Sequence, residues 1–388
     1  MIIRLFIWAC LLIFINGSHA SEKIVTIGLS LSLTGKYAQM GIMQKKGFDL
    51  WQNTINEKNG LLGNKINLLI EDDQSSPDKA RSIYTRHIEK TKVDLVIGPY
   101  SSGISEAVLP VIEQHRYPTL VSGASADDLW EKGYQYAFGV YTPASKYTVG
   151  FLQMLVKYKL KKIAIVSADD VFSAELSKNT KKWAERFGLQ VIHTASFKKG
   201  TVNLDPVVLT IKSLTPDVII VCGHLNESVA VRQALRRLYW HPKAYYASVG
   251  PAMEKFYAIL GHDAELTFSS SQWEIDASDK YPFGKEFVKR FTNMYQQAPS
   301  YHAATAFAAG MILELAVQKT NSLDREMLRN MLSQMDTMTL IGRYGVDNNG
   351  KQLRHFPLII QWQQGQKKVV WPEQIKTADP IFNRLEQY

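Results

Sequence analysis

Cysteine is scarce in this sequence of 388 residues, which contains only Cys10 and Cys222. Cys10 lies in an apolar N-terminal segment that is predicted to be removed, so a single thiol remains. Cys222 ends an apolar run and is interpreted as a small buried hydrophobic residue. The sequence therefore excludes an intramolecular disulfide bond and a cysteine-based metal site. The nine histidines show no metal-ligand spacing, so no metal is expected.

The motifs of common enzyme and cofactor sites are also absent. The sequence contains no Walker loop, no nucleophile elbow and no HExxH zinc motif. No GxGxxG follows the first predicted strand, which argues against a dinucleotide cofactor. Two acidic pairs, Asp72-Asp73 and Asp169-Asp170, follow predicted strands, where acids mostly serve as turn and cap residues. We predict that the protein is not an enzyme and holds no cofactor. An exported hydrolase is the weaker alternative.

Long hydrophobic stretches are limited to the N-terminus, where residues 5–15 are continuously apolar. Arg4 precedes this stretch, and the small residues Ser18 and Ala20 stand at the positions that a signal peptidase recognises. The stretch is too short to be a good membrane span. We predict a signal peptide of residues 1–20, cleaved after Ala20, and export to the periplasm. A lipoprotein modified at Cys10 is the alternative.

Positive charge is in excess but is not concentrated in one region. Lysine and arginine together number 45, and aspartate and glutamate 36, which gives a formal net charge of +9. The basic residues are spread over predicted helix faces and turns and are mixed with acids, a pattern that is typical of solvated surface. Because an exported protein meets little nucleic acid, we predict no nucleic-acid partner.

The pattern that is present throughout is an alternation of apolar strands and amphipathic helices, which predicts parallel sheets with helices on both faces. One βαβα block occupies residues 24–129, the pattern restarts near residues 138–143, and a second block of similar size ends at residue 247. Later helices are predicted at 285–295, 303–318 and 324–332, followed by strands at 356–362 and 368–370. We predict an α/β fold with two doubly wound, Rossmann-like lobes.

Serine and glycine are concentrated in two loops of the first block. Residues 101–103 and residues 122–125 each follow a short apolar strand and precede a predicted helix, the second of which is marked by the acids at 127–128 in its first turn. Parallel neighbouring strands bring both loops to the carboxyl edge of one sheet, where ligands bind in open α/β sheets. Serine hydroxyls and free N–H groups at helix N-termini favour a negative group. We therefore predict a cradle for a small carboxylate. Ser102 and Ser125 serving as ordinary N-caps is the alternative.

Several motifs occur in an order and spacing that resemble a known family. They are IGLSLSLTG at 27–35, Gly47, GLLG at 60–63, Asp72-Asp73, VIG at 96–98 with Ser102, and Pro118 leading into Ser125. Over nearly the whole predicted mature chain, the sequence resembles the branched-chain amino-acid-binding branch of the periplasmic solute-binding proteins of ABC transporters. The resemblance implies two lobes joined by a three-crossing hinge, near Tyr141, Phe268 and Gly345, with the ligand closed between them.

The resemblance also implies how the chain is divided between the lobes. Lobe 1 is expected to comprise residues 21–141 and 270–345, and lobe 2 residues 142–269 and 346–388. The three late helices would then pack on lobe 1, and the last strands would return to lobe 2.

The family pattern further implies a ligand pocket between the lobes. Ser102, the backbone of Gly123 and Ser125 would hold the carboxylate of the ligand. Met40 and Trp273 are expected to add apolar wall.

The opposite side of this pocket departs from the family pattern. Phe172 and His224 stand where the family has tyrosines, and the family acid that pairs with the ligand ammonium falls close to Val249, in a segment without any acid, residues 245–251. A buried ammonium without a carboxylate is strongly penalised. Leucine, isoleucine and valine are therefore doubtful ligands, and a neutral or anionic carboxylate compound, including an aromatic acid, is favoured. His224 would line the pocket, with a purely structural histidine as the alternative.

These features predict an exported binding protein that captures a small carboxylate-bearing ligand between two lobes and delivers it to an ABC permease in the inner membrane. The ligand is expected to be amino-acid-like or an aromatic or other organic acid, and the protein is expected to be a monomer. A ligand-sensing receptor component of the same fold, which signals through a partner instead of a permease, is the alternative.

Overall fold

The computed structural model describes residues 24–383, so the predicted signal peptide, its cleavage site and Cys10 lie outside the described residues. The described chain forms a five-stranded sheet, a seven-stranded sheet and a two-stranded hairpin. The predicted α/β class with parallel, doubly wound sheets is confirmed. Within residues 24–383, no helix combines the length and the hydropathy that crossing a membrane requires.

The first sheet contains five parallel strands in the order β2-β1-β3-β4-β5. Its strands are β1 (Val25–Leu31), β2 (Ile66–Asp72), β3 (Leu95–Ile97), β4 (Thr119–Val121) and β5 (Ala137–Gly139). The last three are fully buried, which explains why their sequences show short runs and no apolar–polar alternation. The connections between successive strands include α1 (Ala38–Glu57), α2 (Pro77–Arg86) and α3 (Ser102–Gln114).

The second sheet repeats this arrangement with its five parallel strands, in the order β7-β6-β8-β9-β10. The elements are α4 (Val149–Lys157), β6 (Lys162–Ala168), α5 (Val171–Arg186), β7 (Gln190–Phe197), α6 (Asp205–Ser213), β8 (Val218–Cys222), α7 (Leu225–Arg237), β9 (Ala244–Ala247), α8 (Glu254–Leu260) and β10 (Thr267–Ser271). Cys222 is buried at the end of β8, as its position in an apolar strand predicts.

The remaining elements complete both layers. They are α9 (Gly284–Tyr295), α10 (Tyr301–Thr320), α11 (Arg325–Gln334), the hairpin β11 (Thr337–Thr339) and β12 (Gly342–Tyr344), and the strands β13 (Leu358–Gln363) and β14 (Gln366–Trp371). Helix α10 packs on α1, where the Gly47 backbone lies so close to Ala303 that a Cβ at Gly47 would be 2.2 Å from the Ala303 carbonyl oxygen. Strand β13 pairs antiparallel with β10, and β14 pairs with β13.

Both sheets have the same strand order, which determines where the loops at the carboxyl ends of their strands lie. It reverses between β1 and β3 in the first sheet and between β6 and β8 in the second. At such a switch point the loops at the carboxyl ends of the strands diverge and leave a crevice, where ligands of open α/β sheets bind. The predicted carboxylate loops follow β3 and β4, and the residues predicted to face them follow β6, β8 and β9.

The chain passes between the two sheets three times, and the three passages contact one another. The Thr142 N–H donates to Gln272 Oε1 at 3.0 Å, and the Thr142 hydroxyl donates to the His355 carbonyl at 3.2 Å. Phe268 lies within β10, so the second passage begins only after Ser271, and the limit predicted between residues 269 and 270 falls inside a strand. The division of the chain into lobes at the other predicted limits stays a prediction.

Ser125 is not followed by the predicted α-helix. The chain makes a single 3-10 turn, Asp127–Leu129, and then runs to β5. The Asp127 carboxylate accepts from the Ser145 N–H at 2.7 Å and from its hydroxyl at 2.6 Å. The acid therefore anchors the start of the next block, and the prediction of an α-helix after Ser125 was wrong. The sequence interpretation also missed α6 and α8.

Candidate functional site

The loops at the carboxyl edges of the two sheets enclose a cavity of about 20 Å³. Its wall consists of Tyr100, Ser101, Ser102, Gly123, Ser125, Tyr141, Tyr147, Phe172, His224, Val249 and Tyr301. Two further spaces of about 170 and 180 Å³ have His224 in common with it. Five of the seven residues predicted for the ligand site meet at the small cavity: Ser102, Gly123, Ser125, Phe172 and His224.

Ser102 lies at the first position of α3, and its hydroxyl is held by the neighbouring loop. The Ser102 Oγ accepts from the N–H groups of Ser125 at 3.2 Å and Ala126 at 3.1 Å. The N-cap of α3 is Ser101, whose Oγ accepts from the Ile104 N–H. The alternative interpretation of Ser102 as an N-cap is therefore wrong. With both lone pairs engaged, the Ser102 hydroxyl has its proton left to donate.

Gly123 and Ser125 form the second loop of the predicted cradle. A Cβ at Gly123 would lie 2.8 Å from Tyr100 Cα and 2.9 Å from the Pro99 carbonyl oxygen, so a side chain is excluded there. The Gly123 carbonyl accepts from the Ser101 N–H at 2.9 Å, which ties the two loops together. Because no α-helix follows Ser125, the expectation of helix N–H groups beside both serines holds for α3 alone.

Phe172, His224 and Val249 form the facing wall. The Phe172 ring, in the first turn of α5, meets the Tyr147 ring edge-on and the His224 ring at a tilt, with centroids 5.5 Å apart in each case. The backbone N–H of His224 donates to Glu227 Oε2 at 3.0 Å, at the start of α7. Val249 stands on the wall where the family acid was expected and offers only an apolar side chain.

Met40 and Trp273 do not line the small cavity. Met40 is buried in the wall of the adjacent 170 Å³ space. Trp273 packs edge-on against Phe287 at 5.6 Å, within the core that includes α9 and α10. The structure therefore places Trp273 outside the cavity, because the tryptophan side chain turns into the core after β10 ends.

Four tyrosines of the cavity were missed by sequence reasoning. They are Tyr100, Tyr141, Tyr147 and Tyr301. Burial raises the pKa of each of these phenols, so all four stay protonated at neutral pH and can donate a hydrogen bond. They come from the loop after β3, the first passage, the segment after it and the start of α10. No local motif connects these four positions. The sequence indicated them only by their nearness along the chain to predicted loops and hinge passages.

An acid stands beside the cavity but is already paired. Asp170 accepts from Lys199 Nζ at 2.9 Å and lies 3.5 Å from His224 Nε2. Burial would raise the pKa of Asp170, but His224 and Lys199 together hold it well below its usual range. Asp170 also caps α5 through the Ser173 N–H. Its interpretation as a turn and cap residue was correct but incomplete.

Lys199 also reaches across the cleft to the loop after β1. Its Nζ lies 3.2 Å from the Tyr37 hydroxyl and 4.7 Å from the centre of the Tyr37 ring. Burial would lower the pKa of Lys199, but the Asp170 carboxylate holds it above its ordinary value. The cation is therefore shared between an acid on one side of the cleft and an aromatic ring on the other. Among the wall residues of the small cavity, none is an aspartate, glutamate, lysine or arginine.

Comparisons with known proteins identify the class. The sequence model of the family described as periplasmic binding protein matches residues 24–367, and the chain belongs to this family. A Leu/Ile/Val-binding protein homolog 7 from Brucella suis is 26% identical over 380 residues, which cover 92% of this chain and 94% of that protein. The family resemblance predicted from the sequence is thereby confirmed.

Solved structures show the same two-lobed fold. A leucine-binding protein, LivK, from Thermotoga maritima superposes with a TM-score of 0.82 at 21% identity, covering 89% of this chain and 97% of that chain. An ABC-transporter solute-binding protein from R. palustris in complex with benzoate superposes with a TM-score of 0.79 at 20% identity, covering 92% and 99%. These likenesses establish the fold.

Proposed function

We propose that this protein is an exported solute-binding protein that captures a small carboxylate without an α-ammonium group, above all an aromatic acid, and delivers it to an ABC permease. The observation that carries the proposal is the cavity wall, which combines serine and tyrosine hydroxyls with aromatic rings and contains no acid of its own. The periplasmic binding protein family and the transporter proteins among its structural neighbours support the transport role.

The carboxylate would bind at the loops after β3 and β4. The Ser102 hydroxyl has its proton free, and Ser125 contributes a second hydroxyl beside it. Ser102 also lies in the first turn of α3, where the helix dipole favours a negative group. Hydrogen bonds to a charged acceptor contribute roughly 1.5–3 kcal/mol each.

An ammonium group has no counterpart in this cavity. The Asp170 carboxylate lines the adjoining 180 Å³ space, but it is already paired with Lys199 at 2.9 Å and lies next to His224. Burying an ammonium without a free acid costs several kcal/mol. The ring walls, by contrast, favour a planar apolar body: Tyr147 and Phe172 meet edge-on, as do Tyr141 and Tyr301.

Entry of such a ligand requires the cleft to open. A cavity of about 20 Å³ is too small for any ring-bearing acid, and its wall comes from loops of both sheets. Hinge motion about the three passages would open it and close it again around the ligand. We further propose that the protein acts as a monomer in the periplasm, after removal of residues 1–20, with its permease in the inner membrane.

A ligand panel tests the proposal directly. Purified protein is melted with benzoate, other aromatic and aliphatic carboxylates, benzamide and leucine. Aromatic carboxylates are expected to raise the melting temperature, because a ligand at a hundred times its Kd adds about 2.7 kcal/mol to stability. Leucine is expected to have little effect. Tight binding of leucine, or no response to any carboxylate, would contradict the proposed function.

Replacing Ser102 by alanine is expected to weaken benzoate binding by about 10- to 100-fold. The change removes a donor to the carboxylate and also the acceptor of the Ser125 and Ala126 N–H groups. Isothermal calorimetry measures the effect. The matched control is Ser76→Ala, which removes the cap of α2 and should leave the Kd unchanged. Equal affinity of the Ser102→Ala variant and the wild type would place the carboxylate elsewhere.

A further inference from the structure

The Gln272 side chain joins the hinge to the cavity. Gln272 is 1% exposed and follows β10 on the second passage of the chain. Its Oε1 accepts from the Thr142 N–H at 3.0 Å, and its Nε2 donates to the Tyr147 hydroxyl at 2.8 Å. Because a backbone N–H can only donate, Thr142 fixes the orientation of the amide. The Nε2 group must therefore face Tyr147.

This contact decides which way the Tyr147 phenol can act. A phenol has a single proton and accepts through its oxygen. Gln272 occupies an accepting side of this oxygen, so the phenol proton is left to donate within the cavity, whose wall Tyr147 shares with the hydroxyls of Ser125 and Tyr301. Burial raises the pKa of Tyr147, so the phenol keeps its proton at neutral pH.

We propose that Tyr147 is a specificity-determining residue that donates to the ligand carboxylate, and that Gln272 is the positioning residue that keeps it a donor. The inference rests on the proposed function and adds a third hydroxyl to the pair after β3 and β4. Tyr147 lies just after the first passage, whereas Ser102 and Ser125 follow strands β3 and β4 of the first sheet. A carboxylate held by all three therefore bridges the two sides of the hinge.

The position of Gln272 links this recognition to the passages themselves. The Thr142 residue that orients the amide also donates to the His355 carbonyl, on the third passage, at 3.2 Å. A single chain of hydrogen bonds thus runs from the third passage through Thr142 and Gln272 to the phenol that meets the ligand. An arrangement of the passages that breaks the Thr142 contact would release the amide and with it the donor orientation of Tyr147.

The test exploits the nearly identical shapes of glutamine and glutamate. In Gln272→Glu, the carboxylate accepts from both the Thr142 N–H and the Tyr147 hydroxyl, so the phenol turns its proton away from the cavity. Calorimetry with benzoate is expected to show a loss of at least 10-fold in affinity. Tyr147→Phe should lose about 10-fold or more and should also reduce the preference for benzoate over benzamide, which a purely structural role would not change.

A double-variant cycle separates proton direction from added charge. In the Tyr147→Phe background, Gln272→Glu can act only through its charge, so its further effect should be several-fold smaller than in the wild type. Equal effects in both backgrounds, or wild-type affinity of the Tyr147→Phe variant, would overturn the inference. Far-UV circular dichroism verifies folding of each variant. If no carboxylate of the panel stabilises the wild type, the proposed function fails; if benzoate binds wild type and Tyr147→Phe alike, only this inference fails.

Discussion

Replacing Gly47 by alanine is expected to lower the free energy of unfolding by about 3 kcal/mol. The added Cβ would lie 2.2 Å from the Ala303 carbonyl oxygen, so α1 and α10 would have to separate along their contact. The clashing atoms belong to the backbone, and a close-packed interior cannot yield locally. Equilibrium unfolding in urea, followed by circular dichroism, measures the loss.

Gly103→Ala is the matched control for that change. Gly103 also lies in a helix, α3, and a Cβ there meets no atom within 4 Å. The free energy of unfolding of the Gly103→Ala variant is expected to differ from that of the wild type by no more than about 0.5 kcal/mol. If both variants unfold at the wild-type urea concentration, α1 and α10 do not pack as closely as described. If both are equally destabilised, the contact with Ala303 is not the cause, because exchanging glycine for alanine by itself favours a helix.

Acidification from pH 6.5 to pH 4 is expected to destabilise the protein through two buried histidines. Burial lowers the pKa of His302 to about 3 and that of His355 to about 4. Both values lie below the unfolded value of about 6.5, so the unfolded chain binds the extra protons in this range and stability falls as the pH falls. Each histidine contributes a slope of up to about 1.4 kcal/mol per pH unit.

Urea unfolding at several pH values measures these slopes. The double variant His302→Gln, His355→Gln should lose less stability than the wild type between pH 6.5 and pH 4, because it lacks both titrating groups. A double variant with the wild-type slope would show that other groups carry the acid sensitivity.

Local sequence patterns predicted the strands of the two sheets and about half of the residues in the cavity wall. Strands such as β3 and β8 are buried on both faces, so their apolar runs were recognisable, and loops that directly follow strands placed Ser102 and Gly123 correctly. The α/β class was predicted from the alternation of such strands with helices, and the family from the order and spacing of its motifs. The helix after Ser125 was predicted from acids in its first turn, whereas Asp127 accepts from Ser145, a residue outside any local window, and only a 3-10 turn forms.

The other half of the site depends on contacts between distant parts of the chain. Gln272 meets Thr142 across 130 residues and Tyr147 across 125. Tyr301 reaches the cavity from the start of a helix that has no polar motif. Nothing in the spacing of these residues indicates their proximity. Trp273 is the converse case, because its nearness in sequence to a hinge passage does not bring its side chain to the cavity.

The contact of Lys199 with Tyr37 has a consequence for how tightly and how selectively the protein binds. The two residues touch across the cleft, and neither lines the small cavity. Closure therefore gains the same energy from this contact whichever ligand is inside, and that gain enters every dissociation constant alike. Ratios between ligands depend only on the cavity wall. Affinity and selectivity can thus vary independently, the first through residues at the cleft mouth and the second through the hydroxyls and rings inside.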